Sequence, residues 1–204
     1  MAPIVSTLFI SLDGVAEIDP AWHFPYFDDN MGRAVTHDYD GVDVLLLGRV
    51  TYDSFAGAWP EREAAGEEDA AFARALGDMR KVVISRQRLE FTWRNSELLD
   101  GDLIEAVTEL KADLALGRIL IPGSISVVQQ LLAAGLVDEI SLLLHPVAAR
   151  KGRRLFDEAD AAYHLSLVRS EVFPTGVVWL TYAPAATPAE VGYDDVKDRV
   201  PDTP

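Results

Sequence analysis

The sequence predicts an α/β fold: a mixed β-sheet of about eight strands, flanked by helices and closed by a C-terminal antiparallel hairpin. Three observations support this prediction. Aliphatic runs at 42–47, 81–85 and 118–121 are continuous rather than alternating, which is typical of strands covered on both faces. Segments with helical spacing of apolar residues separate these runs, as in βαβ units. Near the end of the chain, two β-rich segments flank Pro174-Thr175-Gly176, a turn signal that predicts a hairpin.

The predicted strands follow one another along the chain, with the βαβ units first. The first strand is β-rich and ends at the turn signal Asp13-Gly14. After Asp138 the helical spacing gives way to strand patterns, so we expect an antiparallel end to the sheet. The predicted strands are 4–12, 42–47, 81–85, 118–121, 140–148, 164–173 and 177–182.

Helices are predicted between the strands, where apolar residues recur on one face. Ser124 or Ser126 is expected to cap the helix 125–136, and Ser126 and Gln129 have the spacing of a capping box. Trp59-Pro60 is expected to end the helix that follows Gly48, because proline cannot continue a helix. The predicted helices are 27–37, a segment that begins at 51, 103–114 and 125–136.

The composition narrows the possible classes of protein. The chain has 204 residues, a formal net charge of −15 and no cysteine, so disulfides, thiolate metal sites and cysteine nucleophiles are excluded. The four histidines lack metal-binding spacing, and no metal site is predicted. The negative charge argues against nucleic acid and anionic membranes as partners. Because neither a signal peptide nor a membrane-spanning stretch is evident, the expected location is the cytoplasm.

One domain is predicted over residues 1–183, since this length suits a single core. The remaining residues, 184–204, form an acidic extension with four prolines and little apolar periodicity. This composition is typical of a segment that is mobile or that wraps around a neighbouring molecule.

Two places in the sequence share one arrangement, in which an aliphatic strand runs into glycine and then into a helix with hydroxyls in its first turn. A helix N-terminus presents free backbone N–H groups and the positive end of a dipole, so it can hold phosphate oxygens. Two such ends on one sheet edge would hold a dinucleotide pyrophosphate from both sides. The alternative is that both are ordinary helix starts with Ser and Thr caps. The residues are Gly48, Arg49, Val50 and Thr51 at the first junction, and Pro122, Gly123, Ser124, Ile125 and Ser126 at the second.

A third candidate for nucleotide binding is Ser85-Arg86, at the end of the strand 81–85. A hydroxyl and a guanidinium at the carboxyl end of a strand suit the 2′-phosphate of a ribose. The alternative is a solvated surface arginine.

Together these motifs resemble the dihydrofolate reductase-like superfamily, and in particular the branch of the RibD C-terminal domain, the reductase domain of riboflavin biosynthesis. The resemblance rests on GRVTYDSF, KVVISR and IPGSISVVQQLLAAGLVDEISLLLHPV, with the opening STLFISLDG and the closing KGRRLF. It runs from about Ile4 to Ala183. It implies the mixed-sheet fold, NADP(H) as the cofactor, a small-molecule substrate and a homodimer.

The resemblance also implies roles for individual residues of the three motifs. Gly48, Arg49 and Thr51, with the backbone of Val50, would contact the NADPH phosphates. The 2′-phosphate would contact Ser85 and Arg86. The pyrophosphate would contact Gly123, Ser124 and Ser126. The sequence departs from the family pattern at two of the cofactor positions. Pro122 stands where folate reductases have glycine, and Ile125 stands where close relatives often have a small residue. A bulky Ile125 is expected to narrow the phosphate site.

On the substrate side, the loop after Asp13 is implied to roof the nicotinamide and the substrate. Its aromatic residues, Trp22 and Phe27 among them, suit a planar pteridine or pyrimidine, or they simply cover the edge of the sheet. The SLDG opening makes Asp13 the candidate polar contact to the substrate.

The proton donor of a reductase is left open by the sequence. Asp28, Asp29 and Asp38 are candidates, but each also suits a surface or capping position, so no catalytic residue is assigned. His145 lies in an apolar strand and is interpreted as a core or edge histidine. A basic cluster follows it and is interpreted as a salt-bridged surface turn, with a substrate phosphate site as the alternative. The cluster consists of Arg150, Lys151, Arg153 and Arg154.

The expected function is an NADPH-dependent reductase that transfers hydride to a small heterocyclic or carbonyl substrate, similar to 5-amino-6-(5-phosphoribosylamino)uracil reductase. Two alternatives stay open. One is a binding protein that keeps the nucleotide pocket without turnover, and the other is a true dihydrofolate reductase.

Overall fold

Eight strands and six α-helices make up the part of the chain that the structure describes. The structure is a computed structural model and describes residues 1–66, 68–156, 162–192 and 195. The strands are β1 Ile4–Ser11, β2 Val42–Gly48, β3 Arg80–Ile84, β4 Ser96–Leu98, β5 Arg118–Pro122, β6 Glu139–His145, β7 Leu165–Val172 and β8 Val178–Pro184. The helices are α1 Pro20–His23, α2 Asp29–Tyr39, α3 Arg49–Ala65, α4 Ala70–Asp78, α5 Leu103–Ala112 and α6 Ile125–Ala133, with a 3-10 turn at Phe24–Tyr26.

All eight strands join in one sheet with the order β4-β3-β2-β5-β1-β6-β8-β7. The strands from β4 to β6 in this order run parallel, whereas β8 is antiparallel to β6 and β7 is antiparallel to β8. The predicted mixed sheet with its C-terminal hairpin is therefore confirmed. Because the carboxyl ends of parallel strands meet at one edge, the segments that follow β1, β2, β3, β5 and β6 all start at that edge.

The aliphatic runs lie in the middle of the sheet and are buried on both faces, as predicted. In β2, Val44, Leu45, Leu46 and Leu47 are fully buried. Val44 and Leu46 pack with α5 and α6, whereas Leu45 and Leu47 pack with α3 and α4 on the other face. Burying one such side chain is worth about 1.5–3 kcal/mol, so β2 is a strong source of stability beside the first junction.

The helix after Gly48 does not end at Trp59-Pro60, so that prediction was wrong. Instead, α3 runs through Pro60 to Ala65 and is capped by Gly66, whose φ of 69° is left-handed. Trp59 packs against Phe55 of its own helix and against Phe72 of α4. These contacts offset the backbone hydrogen bond that Pro60 cannot donate.

Of the two serines predicted to cap the helix 125–136, Ser124 is the N-cap residue, although its side chain does not do the capping. α6 starts at Ile125, which puts Ser124 at the N-cap position, but the Ser124 side chain makes no capping hydrogen bond. Ser126 lies inside the first turn, so it is not the N-cap residue that the predicted capping box requires. The Gln129 amide donates instead to the carbonyl oxygens of Arg154 and Leu155.

Three short elements have no counterpart in the prediction: α1, α4 and β4. The sheet ends with β8 at Pro184, next to the predicted domain boundary. In the extension, residues 185–192 contain no helix or strand, and 193, 194 and 196–204 lie outside the described residues. The predicted role of the extension stays a prediction.

Lys81 is a charged residue that is fully buried at the start of β3. Its Nζ donates to the carbonyl oxygens of Leu76 at 2.8 Å, Gly77 at 2.9 Å and Met79 at 2.6 Å. These carbonyls lie at or just beyond the C-terminal end of α4, where a helix lacks its own donors and favours a positive charge. Lys81 therefore fixes the turn from α4 into β3, the strand that leads to Ser85.

We expect Lys81→Met to lower the free energy of unfolding by about 1–3 kcal/mol, because it leaves buried carbonyl groups without their donor. Urea denaturation of the variant measures the loss. Arg80→Met is the matched control, since Arg80 is exposed and makes only a surface ion pair with Glu97. Equal losses in the two variants would show that Lys81 does not hold the turn.

Candidate nucleotide and substrate site

The two strand-glycine-helix junctions meet at the carboxyl edge of the sheet, because β2 and β5 are neighbours. The backbone N–H of Gly48 donates to Ser124 Oγ at 3.0 Å, and the Ser124 hydroxyl donates to Thr51 Oγ1 at 2.9 Å. One hydroxyl thus joins the start of α3 to the start of α6. The N-termini of both helices, with their free backbone N–H groups, lie side by side.

The backbone at the second junction is left-handed at two successive residues. Gly123 and Ser124 both have left-handed φ values, 61° and 53°, and the Gly123 N–H donates to the Thr7 carbonyl oxygen at 3.0 Å. A Cβ at Gly48 would lie 3.4 Å from Val127 Cγ2 and 3.6 Å from Ser124 Oγ. The left-handed Ser124 is a strained position that its hydrogen bonds hold in place.

The other predicted residues of the junctions differ in their exposure. Val50 is exposed, and the exposed guanidinium of Arg49 pairs with Asp53 at 2.7 Å, a surface contact of low energy. Pro122 is buried at the end of β5. The Ile125 side chain packs into the core, so its bulk is directed into the protein rather than standing exposed at the junction.

Ser85-Arg86 lies directly beside the first junction. Gly48 of β2 is in register with Ile84 of β3, so Ser85 follows at the same edge. The Ser85 hydroxyl accepts the Gln87 N–H at 3.0 Å, which turns the chain. Arg86 is exposed and forms no ion pair with any residue that the structure describes.

The three candidate proton donors occupy different places around α2. Asp28 caps the helix by accepting the Met31 N–H at 2.9 Å, and hydrogen bonds from Asn30 and Met31 lower its pKa. Asp29 is exposed in the first turn. Asp38, by contrast, lies buried at the far end of the helix.

Asp38 anchors α2 to the sheet. Its Oδ2 accepts hydrogen bonds from the hydroxyls of Thr7 in β1 at 2.6 Å and Ser141 in β6 at 2.7 Å. Ser141 in turn accepts the indole N–H of Trp179 in β8 at 2.9 Å. The carboxylate is therefore the shared acceptor of a buried network that joins three strands to one helix, a role that fits an anchor better than a proton donor.

Asp13 organises the turn that follows β6. Its Oδ1 accepts hydrogen bonds from the Ser11 hydroxyl at 2.7 Å and the Ala149 N–H at 2.8 Å, and its Oδ2 accepts the Arg150 N–H at 2.9 Å. These bonds, with that of Ser11 the strongest, lower the pKa of Asp13 to about 2. Its proposed contact with the substrate stays a prediction, and in this structure its oxygens are used by the protein itself.

The basic turn that Asp13 holds is mostly free of ion pairs. Arg154 lies 3.5 Å from Asp13 Oδ2, but Arg150, Lys151 and Arg153 form no ion pair with any described residue. The interpretation as a salt-bridged turn therefore holds for Arg154 alone.

Trp22 and Phe27 surround a buried histidine that the sequence analysis missed. His23, only 5% exposed, places Nδ1 3.2 Å from Nε2 of His145 at the end of β6. The ring centroids of Phe27 and Trp22 lie 5.7 Å and 6.2 Å from that of His23. Burial, and next the neighbouring His145, lower the pKa of His23 to about 4; burial also lowers the pKa of His145. The sequence signal that could have pointed to this histidine pair is the position of His145 at the carboxyl end of a strand.

A match with a known family accords with this geometry. Residues 2–179 match the RibD C-terminal domain. The chain belongs to the RibD C-terminal domain family. The uncharacterized protein YyaP of Bacillus subtilis (strain 168) is 28% identical over 184 residues, which is 88% of this chain and 93% of YyaP.

Two crystal structures share the fold of this RibD C-terminal domain. One, from Shewanella sp. PV-4, is named for riboflavin biosynthesis; it has a TM-score of 0.68 and 22% identity, with 91% of this chain and 100% of that chain covered. The other, a pyrimidine reductase-like protein from Corynebacterium diphtheriae, has a TM-score of 0.63 and 14% identity, with 91% and 93% covered. These likenesses confirm the predicted dihydrofolate reductase-like fold.

Three other kinds of feature are relevant in the described residues: membrane-spanning helices, metal-binding groups and cavities. No helix among them is long and apolar enough to cross a membrane, and no three His, Cys, Asp or Glu side chains among them are grouped to hold a metal ion. A cavity of about 470 Å³ contains none of the predicted site residues. It is lined by Asp78, Arg80, Asn95, Ser96 and Glu97.

Asp38→Ala is expected to cost about 2–4 kcal/mol of the free energy of unfolding, because the buried hydroxyl of Ser141 and the half-buried hydroxyl of Thr7 lose their acceptor. Chemical denaturation measures this loss, and Asp29→Ala on the exposed side of α2 serves as the control. Asp38→Asn keeps an acceptor oxygen and should restore part of the stability. A loss no larger than that of Asp29→Ala would contradict the anchor.

The free energy of unfolding should fall as the pH is lowered from 6.5 to about 4, because His23 is buried beside His145. The unfolded chain binds a proton at His23 in this window, whereas the folded chain does not until the lowered pKa is reached. The loss of unfolding free energy amounts to about 3 kcal/mol and is complete below the folded pKa. Unfolding curves across this range should therefore fall more steeply for the wild type than for His23→Asn. His164→Asn is the control, and parallel slopes for His23→Asn and wild type would contradict the assignment.

Proposed function

We propose that this chain is an NADPH-dependent reductase that transfers hydride to a small heterocyclic or carbonyl substrate, similar to 5-amino-6-(5-phosphoribosylamino)uracil reductase. The observation that carries the proposal is the hydroxyl bridge from Ser124 to Gly48 and Thr51. It sets two helix N-termini side by side, which is an arrangement suited to the two phosphates of a dinucleotide. Membership of the RibD C-terminal domain family supports the same function.

The residues present fit NADP(H). Gly48 and Gly123 present no side chain at the two junctions, and a Cβ at Gly48 would be in ordinary contact with Val127 and Ser124. The guanidinium of Arg86 is exposed and unpaired among the described residues, so it is available for a 2′-phosphate, which favours NADP over NAD. When bound, the nicotinamide supplies the hydride.

The protein's own task is then to bind, orient and exclude water. Thr51 and Ser126 offer hydroxyls beside the helix N-termini, and the Ser124 hydroxyl holds these N-termini together by donating to Thr51. Trp22 and Phe27 offer aromatic faces at the same sheet edge, on which a planar ring could stack. The substrate is a proposal that rests on family membership and on these aromatic residues.

A nucleotide-binding protein without turnover is the second candidate, and one observation favours it. Among Asp28, Asp29 and Asp38, the first caps a helix and the last is engaged by two hydroxyls. Neither is free to deliver a proton, and Asp29 is exposed in the first turn of α2. A true dihydrofolate reductase, which needs such an acid, is ranked lower for the same reason.

We also propose a homodimer, as the family resemblance implies. The edge strand β7 exposes apolar side chains that a second copy would cover, namely Leu167, Val168 and Val172.

The function is tested by following NADPH oxidation with 5-amino-6-(5-phosphoribosylamino)uracil and, separately, with dihydrofolate. The reductase proposal expects turnover of the first compound. Tight NADPH binding with no turnover of either would favour the binding protein, and turnover of dihydrofolate inhibited by methotrexate would establish a folate reductase.

Arg86→Ala should weaken NADPH binding by about 10- to 100-fold and leave NADH binding nearly unchanged, because only NADPH carries the 2′-phosphate that the guanidinium would bind. Fluorescence titration measures both dissociation constants. Arg88→Ala removes a nearby exposed arginine and is the control. An equal loss of affinity for NADPH and NADH would contradict the assignment of Arg86 to the 2′-phosphate.

A further inference from the structure

His23 and His145 form a buried pair at the carboxyl edge of the sheet. His145 is the last residue of β6, opposite Ser11 in the register with β1, and is fully buried. His23 is the last residue of α1 and packs its ring on Phe9, with 4.2 Å between the centroids. The pair therefore lies at the same edge as the two junctions, between the sheet and the aromatic segment that follows Asp13.

The hydrogen bonds of the pair fix where its protons lie. His145 Nδ1 faces the Leu143 carbonyl oxygen at 2.9 Å, and the backbone of Ile10 also interacts with this ring. Because a carbonyl can only accept, we assign the hydrogen to Nδ1. In a neutral imidazole the other nitrogen, Nε2, is then an acceptor. The hydrogen in the 3.2 Å contact must therefore come from His23 Nδ1.

This chain of bonds leaves His23 Nε2 with a lone pair and no hydrogen. No described residue forms a hydrogen bond with this atom. Among the described residues, three side-chain polar atoms are fully buried and have no partner, namely Ser6 Oγ, Trp93 Nε1 and Thr175 Oγ1. His23 Nε2 is not one of them, although it has no partner either, so it is not fully buried. His23 Nε2 is thus an unpaired acceptor that is not sealed from solvent, on a ring flanked by Phe27 and Trp22.

We propose that His23 Nε2 accepts a hydrogen bond from an N–H or O–H group of a planar heterocyclic substrate, and that His145 is the positioning residue that fixes its polarity. The proposal rests on the proposed function, since the ligand is the hydride acceptor of that site. Its chemical class is a ring with donor groups on its edge, such as an aminouracil. A ring without donors leaves the acceptor unpaired and is disfavoured.

Two observations support this assignment. The low pKa of His23 keeps the ring neutral at neutral pH, so Nε2 remains an acceptor. The rings of Phe27 and Trp22 beside His23 provide apolar surface for the faces of a planar ligand. His23 Nε2 would then accept a hydrogen bond from a donor on the edge of that ligand.

Two substitutions distinguish the role of Nδ1 of His23 from that of Nε2. In His23→Asn, the side-chain amide reaches only as far as Nδ1, so it can still donate to His145 but offers nothing at the position of Nε2. In His23→Gln, the longer side chain can place its amide oxygen near that position. The first variant therefore keeps the internal bond, and the second restores an acceptor for the ligand.

Calorimetric titration of the NADP-loaded protein with 5,6-diaminouracil tests the acceptor, and 1,3-dimethyluracil, which has no N–H or O–H donor, is the matched control ligand. We expect His23→Asn to weaken diaminouracil binding by about tenfold or more, and His23→Gln to recover most of it. Dimethyluracil should bind weakly and equally to all three proteins. Unchanged binding of diaminouracil to His23→Asn, failure of the wild type to bind it, or equal binding of both ligands would overturn the proposal.

Nitrogen-15 NMR of the imidazoles tests the polarity without any substrate. We expect His23 to be protonated on Nδ1 and bare on Nε2, and His145→Phe to release this preference because the acceptor for Nδ1 is lost. A proton on Nε2 of His23 in the wild type would contradict the proposal. NADPH turnover is measured separately, so failure of the reductase function with an intact His23 acceptor is distinguishable from failure of the acceptor itself.

Discussion

The hydroxyl of Ser124 is the contact on which the proposed site depends. It accepts the N–H of Gly48 and donates to Thr51, so it ties the end of β2 and the start of α3 to the start of α6. This is possible only because β2 and β5 are neighbours in the sheet. The left-handed backbone at Gly123 and Ser124 is the local cost of bringing the two helix starts together.

The strands and the hairpin could be predicted from the sequence, because continuous aliphatic runs and turn residues are local signals. The continuation of α3 through Pro60 could not, because it depends on the contact between Trp59 and Phe72 of α4. The bridging role of Ser124 was missed for a similar reason. A serine before a helix suggests a cap, and only the strand order shows that Gly48 and Thr51 are close enough to take its hydroxyl.

The substrate side of the site was harder to predict than the nucleotide side. His23 and His145 are separated by more than a hundred residues, and they meet because β6 pairs with β1 and α1 covers that edge. Asp38 was considered as a proton donor because it is acidic and near the roof loop. The structure gives it hydroxyl partners in β1 and β6, so its charge is used to hold α2 on the sheet. Arg86, by contrast, was found from the sequence despite the charge of −15, and among the described residues it forms no ion pair.

The most direct test of the account is a crystal structure of the protein with NADP bound. We expect the pyrophosphate to lie between the turn 48–51 and the turn 123–126, with the 2′-phosphate against Ser85 and Arg86 and the nicotinamide toward His23. A nucleotide bound away from the Ser124 bridge, or with its 2′-phosphate remote from Arg86, would contradict it.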